Sequence, residues 1–329
     1  MKTPTLFTAL PDYIATPDSM AIDSEGNLVL SCPNFADLSL PGCVVKIDQD
    51  GNVRKWFDVP VREDTGMARP MGIGFGPDGD LYVIDNQGWL ESMPEVQFKG
   101  RLLRIRMDGD KMVKCTVVAN NMEHPNGLRI KDGYVYLTQS YLHKEKHPSG
   151  NLLSCVYRFG LDEENIEITN TLADPHILTT FVTSNPLCQY GVDGIEFDHD
   201  GNLLVGNFGD GAVYKVTFNQ DMTVKSNEVW AQNPAELKST DGMVMGEDGW
   251  LYIADFCNNA IVMVSPDGKE VKRLAQSPDC DGLDGGLDQP GEPIIWNGKV
   301  IASCFDLVCN DYNVNTAHEM PATLAQIEL

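Results

Sequence analysis

Oxygen-bearing side chains recur along the sequence at matching places, each directly ahead of a short apolar segment. Read in order, the six leading positions are Asp18, Met71, Asn126, Asp193, Asp241 and Glu292, of which all but Met71 carry a carboxylate or an amide. If they converge on one axis, the acids among them repel each other by several kcal/mol in a partly desolvated channel. A hard divalent cation such as Ca²⁺, Mg²⁺ or Mn²⁺ relieves that repulsion. The pattern predicts a cation site; the alternative is a water-filled channel whose acids are merely solvated.

The local sequence around each leading position predicts a tight hairpin. TDGMVMGEDGWLYIADF at 240–256 and VDGIEFDHDGNLLVGNF at 192–208 share one plan: a polar residue, a short strand, a turn with glycine and a second apolar strand. Asp-Gly turns supply the positive φ that a tight hairpin needs. The second strands are nearly continuous apolar runs, which is typical of strands buried on both faces.

The spacing of these hairpins predicts the architecture. Copies of this hairpin pattern start near residues 18, 71, 126, 193, 241 and 292, and a second hairpin often follows the first. Six units of four antiparallel strands indicate an all-β fold, a six-bladed β-propeller with residues 1–329 as one domain. Two stacked β-sandwiches explain the sixfold spacing poorly.

The two ends of the chain are expected to complete the last blade. Residues 322–329 supply its third strand and residues 5–10 its fourth, which removes an open sheet edge. In each blade the leading residue starts the innermost strand, and the hairpin turn lies at the far end. We therefore expect the six leading positions to meet at one mouth of the central channel.

The charge balance narrows the range of partners. The chain carries 24 basic and 48 acidic residues, a net charge of -24, which repels phosphate backbones and anionic lipids. Nucleic-acid and membrane partners are therefore disfavoured and bound cations favoured, although simple solubility explains the charge equally well.

The nine cysteines are scattered without a CxxC pair, and no export signal is apparent. We expect reduced thiols, a cytoplasmic location and a monomer or small homo-oligomer.

The order and register of the repeats resemble the regucalcin/gluconolactonase family, which includes senescence marker proteins, sugar lactonases and diisopropylfluorophosphatases. The resemblance extends across the chain and is carried by PNGL at 125–128 and by residues 192–216 and 240–264. Members of this family bind one divalent cation in the central channel. The resemblance implies Ca²⁺ as the most favoured ion, with Mg²⁺, Mn²⁺ or Zn²⁺ possible, and as its ligands Asp18, Asn126, Asp193 and Asp241. A second alignment places Asn126 on the family's second asparagine and Asp193 on its aspartate.

Several residues depart from the family pattern. Asp18 is shorter than the family's glutamate, Asp193 replaces an amide, and Glu292 adds a further acid. The extra charge favours tighter cation binding. His124 stands where sugar lactonases are expected to carry an arginine for the substrate, which argues against a plain sugar lactone.

The resemblance implies metal-dependent hydrolysis of a small-molecule lactone or a related ester. A cation polarises the carbonyl oxygen and lowers the pKa of a bound water, and a carboxylate acts as general base or nucleophile. The candidates for that carboxylate, in order of preference, are Asp241, Asp193 and Glu292. The candidate substrate contacts are His124, Asn207, Asp255, Phe256 and Tyr141. The alternatives are a non-catalytic calcium-binding or ligand-sensing propeller, and phosphotriester or aryl-ester hydrolysis at the same site.

Two further features of the sequence give weaker indications of function. The long connections 86–100, 141–151 and 275–291 are candidates for a lid over the channel. The acidic run CDGLDGGLDQPGE at 280–292 is a candidate for a second Ca²⁺, although it lacks the ligand spacing of an EF-hand loop. The sequence contains no GxSxG motif, which disfavours a serine hydrolase.

Overall fold

Six antiparallel sheets follow one another along the chain in the computed structural model, which describes residues 1–88 and 94–329. The innermost strands of neighbouring sheets contact each other in a closed ring, and the last sheet meets the first. This arrangement is a six-bladed β-propeller, which confirms the predicted fold class. The described residues contain no α-helix, only one-turn 3₁₀ helices at Pro94–Val96 and Phe256–Asn258. No helix in the described part is long and apolar enough to cross a bilayer.

The strands are numbered in chain order from β1 (Thr5–Ala9) to β25 (Thr323–Glu328). Blades 1 and 2 contain β2 to β9: Met20–Ile22, Leu28–Cys32, Cys43–Ile47, Val53–Asp58, Pro70–Phe75, Leu81–Asp85, Gly100–Asp108 and Lys111–Met122. Blade 3 contains β10, β11, β12 and β14: Pro125–Lys131, Tyr134–Gln139, Leu152–Gly160 and Ile177–Thr183. Blades 4 and 5 contain β15 to β22: Val192–Phe197, Leu203–Asn207, Ala212–Phe218, Val224–Gln232, Met243–Met245, Leu251–Asp255, Ala260–Val264 and Val271–Gln276. Blade 6 contains β23 and β24, followed by β25 and β1: Pro290–Trp296 and Lys299–Cys304.

The inner hairpins have the predicted turn chemistry. Gly201 and Gly249 adopt φ of +81° and +79°, a region that side chains with a Cβ rarely enter. In blade 4 the Asp198 carboxylate accepts hydrogen bonds from the backbone N–H groups of Asp200 and Asn202, which fixes the turn. The second strands β3, β7, β16 and β20 are buried at every residue. They therefore lie between blades, as their continuous apolar sequences predict.

The two ends of the chain close the ring within blade 6. Strand β25 pairs antiparallel with β24, and β1 pairs antiparallel with β25, with Thr5 opposite Gln326. The ring of Phe7 meets the ring of Trp296 edge-on, with centroids 5.7 Å apart. The predicted order of third and fourth strands is confirmed.

Blade 2 has one strand more than predicted. The connection between β12 and β14 crosses to the outer edge of blade 2, where β13 (Ile166–Glu167) pairs parallel with β9. Two backbone bonds extend this pairing, from Asn165 N to Val117 O (2.9 Å) and from Ile168 N to Asn120 O (3.1 Å). The added strand covers an edge that is otherwise open to pairing with another chain.

Candidate active site

Five of the six leading positions line one cavity of about 630 Å³, namely Asp18, Met71, Asn126, Asp193 and Asp241. They belong to the first five blades, so the strands bring together residues that are distant in sequence. Glu292 is not among the described lining residues, but its charge raises the pKa of all three of these aspartates. The structure therefore gathers the four acids, called the acidic ring below, around one axis.

A glycine that follows the leading residue sets how closely the innermost strands approach. A Cβ added at Gly194 would lie 2.0 Å from the carbonyl oxygen of Asp241, and one added at Gly127 would lie 2.7 Å from that of Asp193. A Cβ added at Gly72 in blade 2 would likewise lie too close to the backbone of the next blade. Because atoms do not approach this closely, only glycine lets the leading residue of the next blade pack here.

The acidic ring is strongly perturbed by its surroundings. Burial raises the pKa of Asp18, Asp193 and Asp241 well above the ordinary range of an aspartate, and the charges of neighbouring acids raise it further. Burial also raises the pKa of Glu292, although Arg129 opposes that shift. Nη2 of Arg129 donates to Oε1 of Glu292 at 2.9 Å. Repulsion among the three aspartates therefore remains for a bound cation to relieve.

The side chains around the cavity offer oxygen atoms of the kind that a hard cation binds. Nδ2 of Asn126 donates to Oδ2 of Asp193 at 2.7 Å and to the Tyr190 hydroxyl at 2.9 Å, so its Oδ1 is the atom available to a cation. Oδ1 of Asp241 accepts from the Gly242 N–H at 3.0 Å. Carboxylate and amide oxygens are the ligands that Ca²⁺ prefers, so the residues present fit such an ion.

An aromatic belt walls the cavity. Successive ring centroids lie 4.9 Å apart for Tyr190 and Phe208, 5.6 Å for Phe208 and Phe256, and 5.8 Å for Phe256 and Phe305. Its lining members are Phe35, Tyr141, Tyr190, Phe208, Phe256 and Phe305. The belt offers apolar surface to a substrate and lowers the local dielectric constant, which strengthens electrostatic interactions at the acidic ring.

His124 is joined to the ring through Tyr190. The His124 side chain is buried, with Nδ1 3.2 Å from the Gly88 carbonyl oxygen and Nε2 2.7 Å from the Tyr190 hydroxyl. Burial lowers the pKa of His124 to about 4, so the imidazole is neutral near pH 7. A proton on Nδ1 satisfies the contacts with Gly88 and Tyr190: His124 donates to Gly88, and Tyr190 donates to Nε2 while accepting from Asn126. Nδ2 of Asn86, 3.3 Å from the same Nδ1, then donates to the Pro125 carbonyl oxygen instead, at 2.8 Å.

Solved structures share this architecture along the full chain. The luciferin-regenerating enzyme matches with a TM-score of 0.67 and 12% identity over 100% of this chain and 96% of that one. A gluconolactonase from Xanthomonas campestris matches with a TM-score of 0.61 and 15% identity, over 99% of this chain and 95% of that one. Regucalcin, a calcium-binding protein from Agrobacterium tumefaciens, matches with a TM-score of 0.62 and 11% identity, over 99% of this chain and 93% of that one. The chain has the gluconolactonase and regucalcin fold.

This fold alone does not select an activity. Comparisons with protein-family models and with curated proteins find no match. The solved structures named above are 11% to 15% identical to this chain, so they establish its architecture alone. The neighbours of this gluconolactonase-like propeller also include an aldose sugar dehydrogenase from Streptomyces coelicolor and streptogramin B lyase. The activity must therefore be argued from the cavity itself.

The predicted substrate contacts fall into two groups. Phe256 and Tyr141 line the cavity. His124, Asn207 and Asp255 are absent from the described lining. Asn207 bonds to the end of strand β14, and Asp255 bonds to the loop ahead of β19. Asn207 Nδ2 donates to Val182 O at 3.0 Å, and Asp255 Oδ1 accepts from the backbone N–H of Ser239 at 2.9 Å. Contact with a substrate stays a prediction for each of them.

Other residues at the site lie beyond the sequence prediction. Tyr190 holds Asn126, and Arg129 holds Glu292 of the acidic ring. The loop at 307–313 supplies Leu307, Val308, Cys309, Asn310 and Asn313 to the cavity wall. The one usable signal is QYGVDG at 189–194, where an aromatic residue stands shortly before a leading aspartate. Of the three predicted lid segments, 141–151 contributes Tyr141, and 86–100 includes residues 89–93, which lie outside the described residues.

Proposed function

We propose that the protein is a metal-dependent hydrolase that opens a lactone or a related ester at one divalent cation, most favourably Ca²⁺, in the central channel. The ligands would be Asp18, Asn126, Asp193 and Asp241. The observation that supports this most strongly is the gathering of the buried Asp18 and Asp193, the half-buried Asp241 and the Asn126 amide around one cavity. The described lining of that cavity includes no lysine, arginine or histidine to neutralise them.

When bound, such a cation polarises a carbonyl oxygen and lowers the pKa of a coordinated water. The protein's own part is to hold and move a proton. Asp241 is the first candidate for general base, because burial and the charges of Asp193 and Asp18 raise its pKa toward the working range of such a group. Asp193 is the second candidate and is held by Asn126. Glu292 is the third, since Arg129 already occupies one of its oxygens.

The cavity wall indicates the class of substrate. The aromatic belt suits a ligand with an apolar part, and a wall whose described members carry no positive charge suits a neutral one. Ring opening of a lactone releases a carboxylate, which the acidic ring repels, so the charge of the site helps the product leave. The same belt also favours an aryl ester or a phosphotriester, which is the second candidate function.

The other expectations from the sequence agree with this assignment. The nine scattered cysteines without a CxxC pair favour reduced thiols and hence a cytoplasmic location. The strong negative charge supports a small-molecule substrate rather than a nucleic-acid or membrane partner.

The test uses purified protein, a chelator and a panel of one aliphatic lactone, one aryl ester and one phosphotriester. We expect lactone hydrolysis that the chelator abolishes and Ca²⁺ restores, and a loss of about 10²-fold or more in Asp241→Asn. Asp200→Asn, an exposed turn acid, is the matched control and should retain full activity. Full activity after chelation would refute the proposal. Tight Ca²⁺ binding without turnover of any ester would instead identify a non-catalytic propeller.

A further inference from the structure

Three acids meet outside the acidic ring, in the loops that flank blade 6. Asp288 lies in the connection between β22 and β23, and Asp306 and Glu319 lie in the connection between β24 and β25. One carboxylate oxygen from each lies within 4.8 Å of the other two. Asp288 and Asp306 are only 2% and 1% exposed and Glu319 is half-buried, so two of the three acids are withdrawn from solvent.

A buried amide points to a ligand in the same place. Asn315 is 2% exposed, and its Nδ2 donates to Oδ1 of Asp306 at 3.1 Å, which sets the amide against the cluster. Its Oδ1 is buried and has no hydrogen-bond partner, and the same is true of Oδ1 of Asp288 and Oε2 of Glu319. Leaving one such acceptor unpaired costs about 1–3 kcal/mol, and more for a charged group. Three of them together indicate that something binds here.

The charges around the cluster favour a cation over a neutral ligand. Burial, followed by the charges of Asp306 and Glu319, raises the pKa of Asp288 to about 8. Asp279 and Asp281 face the same group and add to the repulsion. His318 is the basic side chain in contact, with Nδ1 2.9 Å from Oδ2 of Asp306. One imidazole leaves most of this negative charge uncompensated.

We propose that Asp288, Asp306, Glu319 and the amide oxygen of Asn315 form a second cation site, suited to Ca²⁺. All four donors are hard oxygens, and a loop-built site can adapt to the six to eight ligands that Ca²⁺ takes, with waters filling the rest. The site shares no residue with the acidic ring, so it does not depend on the proposed function.

The site is placed to hold the wall of the central cavity. Asp306 stands between Phe305 and Leu307, which both line that cavity. Gln289, next to Asp288, accepts from Phe305 N at its backbone oxygen (2.9 Å) and from Leu307 N at its side-chain oxygen (2.5 Å). A cation shared by Asp288 and Asp306 would tie these two segments together and fix the position of the loop at 307–313.

The test counts Ca²⁺ ions bound to the full-length protein by isothermal titration calorimetry after chelator treatment. We expect two ions per chain. Glu319→Gln and Asp288→Asn should each lose one ion, or bind it at least about tenfold more weakly, and keep the other. Asp241→Asn should show the reverse pattern. Asp284→Asn, an exposed acid on the same loop as Asp288, is the matched control and should bind like the wild type.

Thermal unfolding keeps the test decisive if one variant folds poorly. Without Ca²⁺, Asp288→Asn should have a higher melting temperature than the wild type, because the variant removes one buried acid from a group of acids that repel one another. With Ca²⁺, it should show a smaller rise in melting temperature than the wild type. The proposal is overturned if Glu319→Gln and Asp288→Asn bind Ca²⁺ with wild-type number and affinity. A single bound ion that is lost in Asp241→Asn but kept in Glu319→Gln would overturn it equally.

Discussion

Arg129 donates through Nη2 to Oε1 of Glu292 at 2.9 Å, across 163 positions of sequence. The same nitrogen donates to the carbonyl oxygen of Met243 at 2.7 Å, and Nε reaches Oε2 of Glu196 at 3.1 Å. One guanidinium in blade 3 therefore binds groups in blades 4, 5 and 6. It neutralises the one acid of the ring that the described cavity lining does not include, and it leaves the three aspartates for a cation.

Replacing Arg129 should destabilise the protein strongly. Arg129→Met leaves the buried Glu292 and the half-buried Glu196 without their partner, so we expect the free energy of unfolding to fall by about 3–5 kcal/mol in denaturant titrations. Arg54→Met is the matched control, because its ion pair with Asp110 is exposed on both sides, and it should cost less than about 1 kcal/mol. Similar losses in the two variants would contradict the role assigned to Arg129.

Metal removal should make the stability depend on pH. In the chelated protein the raised pKa values of Asp18, Asp193 and Asp241 mean that the folded state holds more protons than the unfolded state. Stability must then fall as the pH rises from about 4, the ordinary pKa of a carboxyl group, through the raised values. Saturating Ca²⁺ should flatten this dependence. Melting temperatures measured across this pH range, with chelator and with Ca²⁺, provide the check; parallel curves would contradict the expectation.

Tyr190 should tune the cation site without forming part of it. Tyr190→Phe removes the hydroxyl that accepts from Asn126 and donates to His124, so the Asn126 amide is less well oriented. We expect the Ca²⁺ affinity of the central site and the hydrolysis rate to fall by about 10- to 100-fold, with about 1–3 kcal/mol of stability lost. Tyr134→Phe, at a partly exposed ring, is the control. Unchanged Ca²⁺ affinity in calorimetry would rule out a positioning role.

Gly194 should tolerate no side chain. In Gly194→Ala the new Cβ would meet the carbonyl oxygen of Asp241 at 2.0 Å, so blades 4 and 5 must separate. We expect a loss of about 1–3 kcal/mol or more, together with weaker Ca²⁺ binding, measured by chemical denaturation and calorimetry. Gly160→Ala provides the comparison, because there the Cβ meets only the side chains of Asp162 and Glu163. Equal effects at the two positions would contradict the close-approach argument.

Local sequence was sufficient to predict the architecture. Asp-Gly turns such as the one ending at Gly249, followed by apolar strands such as β20, act within a few residues, so their recurrence reveals six blades. The register of the repeat also predicts that Asp193 and Asp241 meet. Closure by β1 and β25 follows once the last unit is seen to lack strands.

The side chains that complete the site could not be found in this way. Tyr190 comes from a connecting loop and Arg129 from the middle of a strand, and neither recurs with the repeat. Asn207 and Asp255 show a different limit of prediction from the sequence. Their place after the second strands is clear from the sequence, but a polar group there can either face a ligand or bind a neighbouring loop. The structure shows Asp255 bound to the backbone of Ser239, which depends on loop geometry that the repeat does not encode.

The pairing of β1 with β25 also sets an order of events during biosynthesis. β25 comes after every other strand of the sequence, so blade 6 cannot assemble before β25 has left the ribosome. Contacts of such long sequence separation form late in folding. Phe305, Asp288 and the loop at 307–313 all depend on that blade. The five earlier blades can thus form as an open arc, and the cavity acquires its last wall only after β25 has been synthesised.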